Sequence, residues 1–389
     1  MTVRKCARAG VVGLAAVAMA ATAFAGPAQA SRDPKAAGHE ATRAAIDAAV
    51  KAGVPGITAH ARDAKGVWKA AAGVGNLKTG APRGKDDRFR VGTLTNTFVA
   101  TVLLQLEAEN KLDLDDTVDK HLPGVVTGNG NDGREITVRQ LLNHTSGVPD
   151  YLGDQEYVDT YVFGEGYLKH RYDTLTPQQR IKVALGYKPL FKPGARHSFS
   201  NTNDVLAALV VEKAGRTSYE KAVRDRIIKP LKLKATSNPG TSAKLPKPSG
   251  RGYAKLFLEQ PERIDDVTEV NGSQYWGNGD IISSAADLNR FYGALLGGKL
   301  LPPEQQQALK TTVGNPDFPG SSYGLGVERY TLGCGTPIWY HDGGVQGWFT
   351  LVASTDDGRQ LTFNYNSSWG LEHLFSILNA EFCPAPARR

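Results

Sequence analysis

The chain has 389 residues, 41% hydrophobic and 22% charged, which excludes a disordered or fibrous protein and provides for a sizeable core. Its length exceeds the usual single domain but suits one two-lobed unit. The net charge of +7 comes from scattered Lys and Arg, so no stripe marks a nucleic-acid surface; a basic exterior suits an anionic cell wall, and ordinary solubility accounts for it equally.

Arg4, Lys5 and Arg8 precede an apolar run from Ala9 to about Ala25, followed by Ala28-Gln29-Ala30. That order describes a secretory signal peptide over 1–30, cut near Ala30, and the run is too short and Ala-rich for a good membrane span. An extracellular protein without a membrane span is expected. Cys6 leaves with the signal, and the remaining Cys334 and Cys383 most simply pair in an oxidising compartment. The histidines show no paired ligand spacing, so neither metal nor cofactor is expected.

Residues 31–40 are polar and read as a flexible lead. Ala45, Ile46, Ala49 and Val50 stripe a helix over 41–52. Strand-like runs at 56–61 and 67–74 flank Asp63-Ala64-Lys65-Gly66, which reads as a hairpin turn. The clearest helix carries Phe98, Val99, Val102, Leu103 and Leu106. Helices dominate to about residue 235, best at 136–142 and 203–214. Strand-like runs return after 250, notably at 348–353 and 360–365, and a helix over 371–382 closes the chain. Gly128-Asn129-Gly130-Asn131-Asp132-Gly133 has dinucleotide-loop spacing, but no strand leads into it, so it reads as a loop. Strands at both ends with helices between predict an α+β fold. Its antiparallel sheet is built from both chain ends and flanked by helices. One lobe covers about 41–92 and 250–389, and an inserted helical lobe covers about 93–249.

Several stretches carry a family resemblance. They are Phe89-Arg90-Val91-Gly92, Lys111-Leu112-Asp113-Leu114-Asp115-Asp116, the run from Ile136 through Leu142-Asn143-His144-Thr145-Ser146-Gly147, and Pro193-Gly194 before Phe199-Ser200-Asn201. Ala285-Ala286-Asp287-Leu288, Tyr323-Gly324-Leu325-Gly326 and His341-Asp342-Gly343-Gly344 complete the set. Together they resemble the class C β-lactamase and DD-carboxypeptidase superfamily over about 41–380, most of all its exported actinobacterial-type DD-carboxypeptidases, in which a Cys334–Cys383 bridge is also expected. The resemblance implies acyl transfer through three motifs: Ser-x-x-Lys at a helix start, Tyr-x-Asn, and a His-x-Gly strand lining the wall that receives a substrate carboxylate.

Each motif is altered here. Thr93-Leu94-Thr95-Asn96 puts a secondary alcohol at the nucleophile position and an amide at the lysine position. An amide accepts no proton at physiological pH. Phe199-Ser200-Asn201 keeps the ring and loses the hydroxyl, and Asp342 in His341-Asp342-Gly343 would place negative charge where a carboxylate has to sit. One positioned acid–base group is worth roughly 10²- to 10⁴-fold, and two are absent. Ser218-Tyr219-Glu220-Lys221 also fits Ser-x-x-Lys by count, but it lacks the flanking motifs and reads as a capped surface helix.

The leading expectation is a binding protein whose vestigial cleft takes a peptide or small molecule, a cell-wall fragment among the candidates, with Asn201, Asp342 and Gly343 as binding residues and Thr93, Asn96 and His341 offering hydrogen bonds. A monomer is expected. The alternative is a repurposed enzyme using His341. There His341 and Asp342 would point to opposite strand faces, and His197 reads as a surface loop residue. Residual peptidase or esterase activity through Thr93 is the third reading.

Overall fold

The computed structural model describes residues 38–383; the signal sequence read over 1–30 and the first part of the polar lead lie outside them. Among the described residues the main sheet has nine strands: β1 (Gly56–Asp63), β2 (Gly66–Asn76), β3 (Ala81–Pro82), β4 (Val313–Gly314), β5 (Ser321–Tyr323), β6 (Glu328–Thr331), β7 (Pro337–Val345), β8 (Trp348–Ser354) and β9 (Gln360–Tyr365). Their order is β4-β5-β6-β7-β8-β9-β1-β2-β3, antiparallel throughout. The two ends of the chain meet where β1 pairs with β9, Ile57 opposite Tyr365 and Arg62 opposite Gln360.

Both sheet faces are covered, so every residue of β8 and β9 is buried. Phe349, Leu351 and Ala353 face one way, packing with Ile46 and Ala49 of α1 (Glu40–Lys51) and with the C-terminal helix Leu374–Phe382. Trp348 and Val352 join the opposite cluster. There they meet α2 (Thr95–Ala108) and, through Leu288 and Phe291, the helix Ala285–Leu296. In α2 the run from Thr95 to Leu104 is buried without interruption, so the helix is enclosed rather than one-sided. It packs against α3 (Asn201–Gly215), itself buried from Asn201 to Val211.

The helix read over 136–142 begins later, at Val138. Thr137 caps it and Gln140 returns the bond, a capping box that leaves Ile136 outside. The polar lead also ends sooner than read. His39 is 5% exposed and bonds Glu381 at 3.0 Å, and α1 starts at Glu40, because a buried carboxylate from the far end of the chain recruits these residues. After residue 250 the main sheet resumes only at Val313; the helices Ala285–Leu296 and Pro303–Lys310 come first and pack against the sheet and α2. Ser218 caps the short helix Tyr219–Val223 by accepting from the Lys221 amide, Lys221 pairs with Asp225 and Tyr219 is buried, so that tetrad is a helix start with Ser218 and Lys221 at the surface. The Cys334–Cys383 disulfide ties the β6–β7 turn to the end of the last helix, with Cα atoms 5.9 Å apart. No described helix is long and apolar enough to cross a membrane.

Candidate functional site

Thr93 sits in a single 3₁₀ turn, Gly92–Leu94, at the head of α2. This turn lies against β7 so closely that a Cβ on Gly343 would approach the Val91 carbonyl oxygen to 2.2 Å and the Thr93 amide nitrogen to 2.8 Å. Gly343 therefore lets the strand touch the turn. Beyond Tyr340, β7 has no β6 partner, so residues from His341 onward form a free strand edge beside Thr93. The Thr93 hydroxyl donates to the Asp342 carbonyl oxygen at 3.1 Å. That carbonyl also accepts from His341 Nδ1 at 2.6 Å.

A carbonyl only accepts, so His341 carries its proton on Nδ1, and Nε2 accepts from the Tyr323 hydroxyl at 2.9 Å. Both ring nitrogens are occupied. Burial lowers His341 to about 4, which keeps it neutral. It braces the wall and is not positioned to take the Thr93 proton, contrary to the repurposed-enzyme expectation.

Asn96, one turn along α2, is 3% exposed. Its amide lies beside Asp204 and Tyr323, yet neither amide atom closes a hydrogen bond of good geometry. Phe199 is half-buried and tilts onto His144, ring centroids 4.4 Å apart. Asn201 is committed: its amide donates to Asp150 at 2.8 Å and its oxygen accepts from Asn278 at 3.1 Å. The sequence-read residues Thr93, Asn96, Asn201, His341, Asp342 and Gly343 are thus placed by four elements, the turn Gly92–Leu94, α2, α3 and β7.

Asp342 and Tyr340 share one face of β7, while His341 and Gly343 share the other. Glu328 lies opposite Tyr340 and so joins Asp342 on the first face. Glu328 accepts from Tyr340 at 2.8 Å and Ser321 at 3.1 Å, and burial followed by the Asp342 charge holds its carboxyl well above the usual range. Asp342 is raised by burial too, and among the described residues no hydrogen bond reaches its carboxyl group. Both acids hold their protons more firmly than exposed carboxylates, so this edge is less negative than Asp342 in the sequence suggested.

His197 corrects the sequence reading. It is 3% exposed rather than a surface loop residue, because Pro193-Gly194 turns the chain inward. Its ring packs at 5.2 Å from Tyr323 and 5.9 Å from His144. His144 Nδ1 accepts from the Ser200 amide and from Asn203, which leaves the proton on Nε2, 3.8 Å from Asp204. Asp204 was not among the residues singled out from sequence. Its signal is an acid at the fourth position of a helix that is buried from Asn201 to Val211, directly before the apolar run Val205–Val211, and burial with the nearby Asp150 charge raises its carboxyl well above the usual range. No group of described residues has the geometry of a metal site. An open surface cavity of about 350 Å³ is lined by Asp119, Asn131, Arg134 and neighbouring loop residues and includes none of these groups.

Comparison with known proteins identifies the fold and the family. The family model described as Beta-lactamase matches residues 42–370. A solved D-stereospecific amidohydrolase from Streptomyces sp. is 49% identical, with a TM-score of 0.83 over 89% of this chain and 98% of that one. A D-amino acid amidase from Ochrobactrum anthropi SV3 shares the fold at 23% identity, with a TM-score of 0.76 over 88% of this chain and 98% of that one. Penicillin-binding protein 4* of Bacillus subtilis (strain 168) is 26% identical over 75% of this chain, which spans 63% of that relative's length.

Proposed function

This chain belongs to the beta-lactamase family, and we propose that it has given up acyl transfer through Thr93 and uses the cleft at the head of α2 to bind a peptide or small molecule outside the cell. The observation that carries this reading is the partner of the Thr93 hydroxyl. It is a main-chain carbonyl, which fixes the hydroxyl proton but cannot remove it. The amide of Asn96 and the ring of Phe199 offer no base either. Extracellular location rests on the signal pattern over 1–30 and agrees with the presence of a disulfide.

The ligand class follows from two supports. The Streptomyces relative is named a D-stereospecific amidohydrolase, which makes D-configured amides and peptides the first ligands to test. Asp342 at the strand edge, whose carboxyl group no hydrogen bond reaches among the described residues, disfavours a free carboxylate there and favours a neutral or amine-bearing end. Calorimetric titration of the secreted protein with D-amino acid amides, followed by product analysis, tests both statements. Saturable binding with ligand recovered intact supports the proposal. Turnover that Thr93→Ala removes would overturn it.

A further inference from the structure

Behind Thr93 lies a cluster of buried polar atoms that the binding proposal does not use. No hydrogen bond of good geometry reaches either amide atom of Asn96, which lies against Asp204 and Tyr323, nor the ring nitrogens of His197, His144 Nε2 or Asp204 Oδ2. All four side chains are at most 3% exposed. They converge: Asn96 adjoins Asp204, His144 Nε2 is 3.8 Å from Asp204, and His197 packs on His144 and on Tyr323. Native interiors rarely leave so many polar atoms unpaired, and each carries a desolvation cost.

We infer that this cluster, between α2 and α3, is a receptor for a single primary ammonium group. Asp204 Oδ2 and Asn96 Oδ1 are adjoining acceptors, and an ammonium group brings three or four N–H donors on a compact centre. Asp204 supplies the charge, and no cationic side chain pairs with it among the described residues. A larger cation with no N–H satisfies none of these acceptors. The inference does not depend on whether Thr93 acts.

The groups facing Asp204 define its pH behaviour. Asp150 adds negative charge and holds the Asp204 proton more firmly, whereas His144, His197 and Tyr323 are kept neutral by burial. A cation entering the cluster displaces the Asp204 proton, so its binding strengthens as pH rises.

The experiment is thermal unfolding of the mature protein in ammonium, methylammonium or tetramethylammonium chloride at equal ionic strength, at pH 6 and pH 8. Ammonium should raise the Tm by a few degrees in a saturable way, more at pH 8 than at pH 6, and tetramethylammonium should not. A methylammonium response equal to that of ammonium assigns the site to the head of a larger amine; its failure assigns it to the free ion. Asp204→Asn should remove the response. Should that variant not fold, Asn96→Lys provides the second test, because a built-in ammonium group should raise the Tm and abolish the effect of added ammonium. Equal shifts in all three salts, or an ammonium response that survives in either folded variant, would overturn the inference and leave the cluster to water.

Discussion

The hydroxyl of Thr93 and the main-chain carbonyl of Asp342, 3.1 Å apart, tie the head of α2 to the free edge of β7. The same carbonyl takes the Nδ1 proton of His341, whose other nitrogen accepts from Tyr323. A continuous set of neutral hydrogen bonds thus runs through the position where this family's chemistry requires a proton to move. The site is well ordered and holds Thr93 as a structural donor.

A fluorescent penicillin incubated with the mature protein should therefore leave no covalent label after denaturing electrophoresis. Thr93→Ala should look the same as the unaltered protein. Stoichiometric labelling that disappears in Thr93→Ala would show that a base reaches the hydroxyl after all.

How much of this was legible in the sequence depended on the range of the interaction. The β1–β2 hairpin, the long α2 and the strands at 348–353 and 360–365 follow from local periodicity and turn residues, and they stand where expected. The altered motif residues were legible because Thr93, Asn96, Phe199 and Asp342 occupy positions defined by their neighbours in sequence. Asp204, Glu328 and the burial of His197 were not, because their meaning comes from partners far away in the chain. Asp204 needs Asn96, 108 positions earlier, and Glu328 needs the β6–β7 register that puts Asp342 on its own face. The early start of α1 has the same origin, since His39 is held by Glu381.

The disulfide closes a loop of 49 residues between Cys334 and Cys383. In the chain-entropy view, losing it costs about 4 kcal/mol, through fewer restraints on the unfolded chain. Cys334→Ala with Cys383→Ala should lower the denaturant midpoint accordingly while leaving the m-value slightly increased or equal. Two alkylatable thiols in the folded, unreduced protein would refute the bridge itself.

Glu328 makes a pH prediction whose sign is unusual for a carboxylate. Burial and the neighbouring Asp342 charge raise it in the folded state, so the native protein holds a proton that the unfolded chain has already released. Stability from this group is present below the ordinary glutamate value, near pH 4.3, and is lost as pH rises towards the raised folded value. Glu328→Gln removes the ionisation while keeping an oxygen that can accept from Tyr340 and Ser321. Urea unfolding at several pH values should show the variant gaining on the unaltered protein between about pH 5 and pH 8. A pH-independent difference between the two would mean that Glu328 is not a buried acid.

Restoring the family chemistry should need a fourth change beyond the three degenerate positions. Thr93→Ser, Asn96→Lys and Phe199→Tyr rebuild hydroxyl, amine and phenol on a turn that Gly343 already holds close to β7. Thr93→Ser alone should do almost nothing, because the base is still missing. In this chain, however, a lysine at position 96 would extend beside Asp204, whose Oδ2 has no partner. An opposite charge a few ångströms away favours the ammonium form, so the new lysine would stay protonated and fail as a base. Adding Asp204→Asn removes that charge and keeps the volume. The triple variant should remain nearly inert towards a neutral activated ester, and the quadruple variant should gain roughly 10²- to 10⁴-fold, the usual contribution of one positioned base. A pH profile separates this cause from simple repacking: the quadruple variant's kcat/KM should rise with pH as the lysine loses its proton, while the triple variant stays flat over the same range. Full activity in the triple variant would show that Asp204 does not hold the lysine, and a folded but inactive quadruple variant would show that the cleft has changed beyond these four side chains.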